Sequence, residues 1–154
     1  MTLQPADDRG ESLIEILVAV LILGITATAI MGGLLTSVKL SDVHRKQATA
    51  GADVRSYAES VTRAVAAGGY QPCAVTSAYL PVTDMDPKTV DFTPASGGTA
   101  AVVGVEYWSD SGPATAWSWK PSCAVDLGLQ RVTLQVRSAD SRATEQTVVV
   151  VRLP

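Results

Sequence analysis

The chain has few of the side chains that carry out catalysis. It contains one histidine, His44, and two cysteines, Cys73 and Cys123, which are too far apart to form a C-x-x-C pair. It has no G-x-S-x-G nucleophile motif and no glycine-rich phosphate loop. We therefore expect no enzyme and no cofactor, and His44 is expected to be a solvated residue on a basic helix face.

Two other groups of residues are candidates for a binding site. Asp84 and Asp86 in "TDMDP", with Asp91 nearby, resemble part of an acidic calcium loop, but they supply too few of the six to eight oxygen ligands that calcium takes. Solvated turn residues are the better interpretation, and no metal site is predicted. Trp108, Trp117 and Trp119 cluster in one segment. Core packing is the default for such aromatics, and the alternative is that Trp117 and Trp119, which share a face of one strand, form an exposed docking pair.

The most unusual acid is Glu15, in the stretch "RGESLIEILVAVLILGI". No charge follows it from Ile16 to Val38, a run that spans about 35 Å as a helix and is long enough to cross a bilayer. An acid in such a segment costs about 2.5–3.5 kcal/mol on insertion scales. It persists only where a partner offsets that cost, or where it lies in the headgroup layer.

A removable secretory signal peptide is the rival interpretation of this run. It would begin with basic residues and have a shorter apolar core. Here the start, "MTLQPADDRG", has Asp7 and Asp8 against one basic residue, Arg9, and the apolar run continues beyond the "ATA" at residues 27–29. A retained anchor is therefore favoured. Net charge is −3 and the pI is about 5.0, which does not favour a nucleic-acid partner.

Helical periodicity continues beyond the apolar run. Between residues 39 and 67 apolar side chains recur in steps of three, four and seven and form one stripe, which consists of Val43, Ala50, Val54, Tyr57, Val61, Ala64 and Val65. The opposite face carries charges, which are Asp42, Arg45, Lys46, Asp53, Arg55, Glu59 and Arg63. Gly68 and Gly69 provide a C-terminal stop. The sequence predicts one helix over residues 12–67, or alternatively two helices with a break at Gly32–Gly33.

The remainder of the chain has the pattern of a β-sheet. Residues 131–137, "RVTLQVR", alternate strictly between apolar and polar. Further strands are predicted at 100–108, 115–120 and 145–153, so that four strands form an antiparallel meander against the helix stripe. A long irregular connection covers 70–98. The expected fold class is α+β, with one long helix packed on a sheet of about four strands.

This order of elements, with the motif at residues 9–25, resembles type IV prepilins and type II secretion pseudopilins, and their minor members in particular. Gly10 matches the residue before the cleavage point and Glu15 the glutamate at the fifth mature position; Leu13, Ile14 and Gly24 match as well. The chain departs from the family in having Glu11 where phenylalanine is usual and Gly32 where proline is common.

The resemblance implies a set of site residues and partners. Prepilin peptidase would cut between Gly10 and Glu11 and methylate Glu11. Glu15 would pair with the N-terminal amine of a neighbouring pilin or pseudopilin subunit and set its register. The other implied partners are the lipid bilayer and the inner-membrane assembly platform. Pilin heads often carry one disulfide, so the resemblance also implies a Cys73–Cys123 bridge, with two reduced thiols as the alternative.

The implied organisation is a leader (1–10), a filament-core helix (11–38), its amphipathic continuation (39–69) and a β-rich head (70–154). The head would lie outside the cytoplasmic membrane, before and after assembly into a pilus or pseudopilus. Lys39, Arg45 and Lys46 follow the anchor, and the positive-inside rule alone would favour the opposite orientation. An uncleaved single-pass anchor that carries a binding domain and does not polymerise is the alternative function.

Overall fold

The computed structural model describes residues 11–109 and 118–154, with side chains from Leu13 onward. It divides into two compact units at Asp42/Val43. Helix α1 runs from Glu11 to Ala64 without a break at Gly32–Gly33, so the expected single helix is confirmed and the two-helix alternative is wrong.

Helix α1 ends as predicted, at the two glycines. One turn with π-helical hydrogen bonding, Val65–Gly69, follows Ala64. Gly68 has φ +94°, in the left-handed region that glycine enters at little cost. A side chain at Gly69 would meet the carbonyl oxygen of Lys88 at 2.1 Å. Both positions therefore require glycine, one for its conformation and the other for space.

The described residues of the second unit, from Val43 onward, form six strands. They are β1 (Pro81–Val82), β2 (Val90–Asp91), β3 (Thr99–Ser109), β4 (Ser118–Lys120), β5 (Leu129–Arg137) and β6 (Thr144–Arg152). β1 and β2 are a short parallel pair inside the connection that was expected to be irregular. The other four strands form an antiparallel sheet. The α+β prediction and the four strands are thus confirmed.

The predicted meander is wrong, because the strand order is β4-β3-β5-β6. β5 pairs with β3 and not with its neighbour in the chain, β4. β4 pairs over only three residues, whereas β5 is paired along nearly its whole length on both sides. An interior strand needs two long ladders, so the short strand takes the edge.

The core lies between the second half of α1 and one face of the sheet. The helix contributes Val54, Tyr57, Val61, Ala64 and Val65, as the stripe predicted, and the sheet contributes Val102, Val105, Val132, Leu134 and Val136. A β-bulge between Val102 and Gly104 shifts the alternation of β3. Because of that extra residue, both Val102 and Val105 face the helix.

Candidate functional site

The described part of the first unit is a helix whose apolar side chains are exposed. Its large apolar side chains, from Leu13 to Leu40, are each between 48% and 69% exposed. They are distributed all around the helix, so no rotation of one copy could bury them all in its own head. Leaving this much apolar surface in water is unfavourable at about 25 cal/mol per Å². Lipid or other helices must therefore cover it.

Glu15 lies within this apolar surface and is exposed. Of the described residues 13–38 it is the only charged one. Gly10, the expected cleavage position, lies outside the described residues. Glu11 begins α1, and its side chain is not described. Glu15 is therefore one carboxylate near the start of a segment, residues 13–38, that carries no other charge.

Three threonine hydroxyls along the apolar segment form hydrogen bonds within α1. The hydroxyls of Thr26, Thr28 and Thr36 donate to the backbone carbonyls of Ile22, Gly24 and Gly32, at 2.9, 3.1 and 2.9 Å respectively. In an environment without water this bonding removes the cost of a bare hydroxyl. Among the described residues, α1 is the one helix long and apolar enough to cross a membrane.

The disulfide that the resemblance implied is present, between Cys73 and Cys123 with 5.6 Å between their Cα atoms. It joins the segment after α1 to the connection between β4 and β5. Asp126 lies beside it, and the backbone N–H of Cys73 donates to Asp126 Oδ2 at 2.6 Å. The two sulfurs and this carboxylate lie within 4.8 Å of one another, but the sulfurs are bonded to each other and offer no thiolate to a metal.

Asp126 receives four hydrogen bonds. Besides Cys73, the donors are the Tyr70 hydroxyl at 2.7 Å, the Gly128 N–H at 2.6 Å and Gln130 Nε2 at 2.8 Å. Burial opposes ionisation, but these bonds outweigh it and lower the pKa of Asp126 below its ordinary value. The carboxylate is thus the point where three chain segments meet, and its role is to hold the head together.

Gln130 extends this network into the core. It is completely buried at the start of β5, and its Nε2 also donates to the Gln71 carbonyl at 2.8 Å. The hydroxyls of two buried tyrosines bond to backbone carbonyls, Tyr57 to Tyr79 at 2.7 Å and Tyr107 to Ala74 at 2.5 Å. Burial raises the pKa of both tyrosines, which remain neutral hydrogen-bond donors. Side-chain hydrogen bonds from the core to its backbone carbonyls therefore hold the segment from Gln71 to Tyr79 in place.

Two charged residues expected on the solvent face of α1 have structural roles. Asp53 is only 5% exposed and accepts hydrogen bonds from the N–H groups of Ala95 and Ser96 at 3.1 and 3.0 Å. Lys46 donates to Asp140 in the β5–β6 turn at 2.5 Å, which lowers the pKa of Asp140. The spacing of Asp53 could have indicated its burial, since it lies three residues after Ala50 and four before Tyr57, within the buried stripe.

The two described tryptophans lie on the outer face of the sheet, away from α1, so core packing is wrong for them. Trp108 on β3 is directly opposite Trp119 on β4, and the rings meet edge to face at 5.3 Å. The guanidinium of Arg131 lies 5.1 Å from the centre of the Trp119 ring and pairs with Glu106. Trp117 lies outside the described residues.

Asp84 and Asp86, which resemble part of a calcium loop in sequence, accept hydrogen bonds within their own turn. Asp84 accepts from the N–H of Asp86 at 3.1 Å and from the Thr89 hydroxyl. Asp86 accepts from the N–H of Lys88 at 2.9 Å. These are the local bonds of ordinary acidic turns. His44 is exposed on α1, as expected.

Comparison with known families gives one match. Residues 6–31 match the family model described as the prokaryotic N-terminal methylation motif. Neither a curated protein nor a solved structure matches the chain. The motif supports a type IV prepilin-like protein and indicates a prepilin-type substrate of prepilin peptidase.

Proposed function

We propose that the chain is a structural subunit of a type IV pilus or of a type II secretion-type pseudopilus, present as a minor component. Prepilin peptidase cuts after Gly10 and methylates the new N-terminus at Glu11. The apolar part of α1 first anchors the subunit in the cytoplasmic membrane, with the head outside. It then leaves the lipid and packs among the helices of other subunits.

One observation carries this proposal. The large apolar side chains of α1 from Leu13 to Leu40 lie on all sides of the helix and are exposed. A plain anchor needs the same length, so apolarity alone does not separate the two functions. The motif at residues 6–31 and the acid inside the run favour the filament subunit over the plain anchor. An anchor gains nothing from an acid in hydrocarbon.

Glu15 takes a defined role in the proposed assembly. Its carboxylate pairs with the N-terminal amine that cleavage creates on a neighbouring subunit. Leaving either charge unpaired in the filament core costs several kcal/mol, so a wrong axial register is penalised. Glu11 brings a second carboxylate close to that same amine, where the family usually has phenylalanine, and competes with Glu15 for it.

The experiment that tests the proposal is intact mass and N-terminal sequencing of the protein from membranes with and without active prepilin peptidase. We expect a chain that begins at Glu11, methylated, only when the peptidase is active. A chain that keeps residues 1–10 under both conditions would favour the uncleaved anchor with a binding head. Cleavage near Ala29 would instead identify a signal peptide.

A further inference from the structure

The sheet of the head has two free edges among the described strands, and they differ in sequence. β6 is nine residues long, contains no proline and pairs with β5 without a bulge. β4 is three residues long and pairs only with β3. Open edges expose unpaired backbone groups, and proteins usually protect them with prolines, bulges or inward-facing charges. Here each edge strand carries one inward-facing charge.

The two charges have opposite signs and lie on the same face of the sheet. Glu145 on β6 lies opposite buried Val136, and Lys120 on β4 lies opposite buried Tyr107. Both therefore project toward the side of the sheet that α1 covers. Neither has an ion-pair partner among the described residues.

Strand directions decide which edges can meet. Each of the three pairings in β4-β3-β5-β6 is antiparallel, so β4 and β6 run in opposite directions. A second copy in the same orientation therefore offers its β4 antiparallel to β6. Antiparallel pairing of two β6 edges instead reverses α1 in the second copy. That arrangement conflicts with two copies anchored in one membrane, a step that rests on the proposed function.

We propose that the heads of neighbouring copies join edge to edge, with β6 of one copy antiparallel to β4 of the next and Glu145 opposite Lys120. This register places Gln146 opposite Trp119 and Thr147 opposite Ser118, and it keeps each residue facing the same side as its partner. Val148, which is 55% exposed on the outer face, then lies diagonal to Trp119 and within reach of its ring. The two edges of one chain thus complement each other in charge and in apolar contact.

Such a contact is heterologous, so it repeats from head to tail and does not close a dimer. Three cross-strand pairs are too few to hold two free heads together in water. Anchoring in one membrane or filament raises the effective concentration of the edges and makes a weak contact effective. The sheet contact therefore adds to helix packing wherever two copies of this minor component lie side by side.

Cross-linking between two full-length copies in the same membrane tests the contact. One copy carries Ser118→Cys and the other Thr147→Cys, and a short bismaleimide joins free thiols while leaving the Cys73–Cys123 disulfide unreacted. We expect a mixed dimer. The matched control replaces Thr147→Cys by Arg152→Cys, about 17 Å further along β6 at about 3.3 Å per residue, and should give at least five-fold less product.

Charge reversal then tests the register. Lys120→Glu on the Ser118→Cys copy should lower the yield at least three-fold, and Glu145→Lys on the other copy should restore it. Tryptophan fluorescence checks that each head is folded. The edge contact is overturned if no mixed dimer forms, if the Arg152→Cys control gives an equal yield, if charge reversal has no effect, or if Ser118→Cys joins only a different protein.

Measuring incorporation into filaments in the same cells separates this proposal from the function on which it rests. Incorporated subunits without the mixed dimer would overturn the edge contact and leave the subunit function in place. A charge-dependent mixed dimer in membranes without incorporation would support the edge contact and count against assembly.

Discussion

The two units of this chain differ in where their apolar side chains lie: many are buried in the second unit, and the large ones are exposed in the first. From Val43 onward the side chains form a hydrophobic core, and the buried side chains of Asp53 and Gln130 form hydrogen bonds within the chain. Before that point the large apolar residues among the described ones remain at least 48% exposed, and the hydroxyls of Thr26 and Thr36 donate to carbonyls of their own helix. A head built this way can fold by itself, whereas the helix is completed only by its surroundings.

This contrast separates two kinds of variant. Substitutions in the helix should change assembly and leave the unfolding of the head unaltered, and substitutions in the head should do the reverse. All three tryptophans of the chain lie in the head. Tryptophan fluorescence of the full-length protein in detergent therefore reports the free energy of unfolding of the head alone.

The largest effect is expected for Glu15→Ala, which should reduce incorporation into filaments at least ten-fold. The N-terminal amine of the neighbouring subunit would lose its partner in an apolar core, where an unpaired charge costs several kcal/mol. The measurement is the ratio of the subunit in sheared filaments to that in membranes. Membrane insertion and the fluorescence unfolding curve should stay as in the wild type.

Thr36→Ala is the matched control for Glu15→Ala, because the Thr36 hydroxyl bonds within its own helix and offers no charge to a neighbour. It should incorporate normally. Normal incorporation of Glu15→Ala as well would remove the register role from Glu15 and return the anchor interpretation to consideration.

The helix was more predictable than the head because each of its signals is local. Uninterrupted apolar residues, the 3.6-residue period and Gly68–Gly69 determine α1 and its end without reference to distant residues. The strands themselves were also found, because alternation is local. Their order was not predicted, since it depends on the relative lengths of β4 and β5, which become visible only when the strands pair.

The polar network of the head likewise could not be predicted from local sequence patterns. Asp126 lies in a loop between two strands, and its four donors come from Tyr70, Cys73, Gly128 and Gln130. No spacing in the sequence brings the segment after α1 to this loop. The family resemblance implied the Cys73–Cys123 disulfide, which joins the two. Nothing in the sequence indicated the role of the Asp126 carboxylate beside it.

Removing the disulfide by Cys73→Ser with Cys123→Ser should lower the free energy of unfolding of the head by about 3–4 kcal/mol, because the unfolded chain regains the freedom of a loop closed across a separation of 50 residues. Denaturant unfolding followed by tryptophan fluorescence measures this. The wild type in reductant should match the double variant. Equal stability of oxidised and reduced protein would contradict the prediction, and the apolar helix should insert in either case.

Asp126→Asn should lower the free energy of unfolding by about 1–3 kcal/mol. Each carboxylate oxygen faces two donors, and an amide can accept on only one side. Its NH₂ group must then face a backbone N–H, either that of Cys73 or that of Gly128. Asp84→Asn, in the exposed turn, is the control and should have little effect.

The same carboxylate predicts how the stability of the head depends on pH. Hydrogen bonds hold the folded-state pKa of Asp126 below its ordinary value of 3.8, so the unfolded chain binds its proton first as pH falls. The contribution is complete well above pH 3.8, declines as pH falls below that value and is lost below the folded-state pKa. The Asp126→Asn variant should lack this part of the acid dependence, and an unchanged acid profile would contradict the assignment.

The smallest effect is expected for Glu106→Gln, on the outer face of the sheet. Glu106 pairs with Arg131, and both side chains are 35% exposed, so solvent screens the pair and its removal should cost under about 1 kcal/mol. The difference from wild type should shrink further in about 1 M salt, where the screening length is about 3 Å. Arg131 also lies against Trp119, so the emission of the folded protein should change even where stability does not. A loss as large as that for Asp126→Asn would mean that the outer face, and not only the core and the disulfide region, holds the head together.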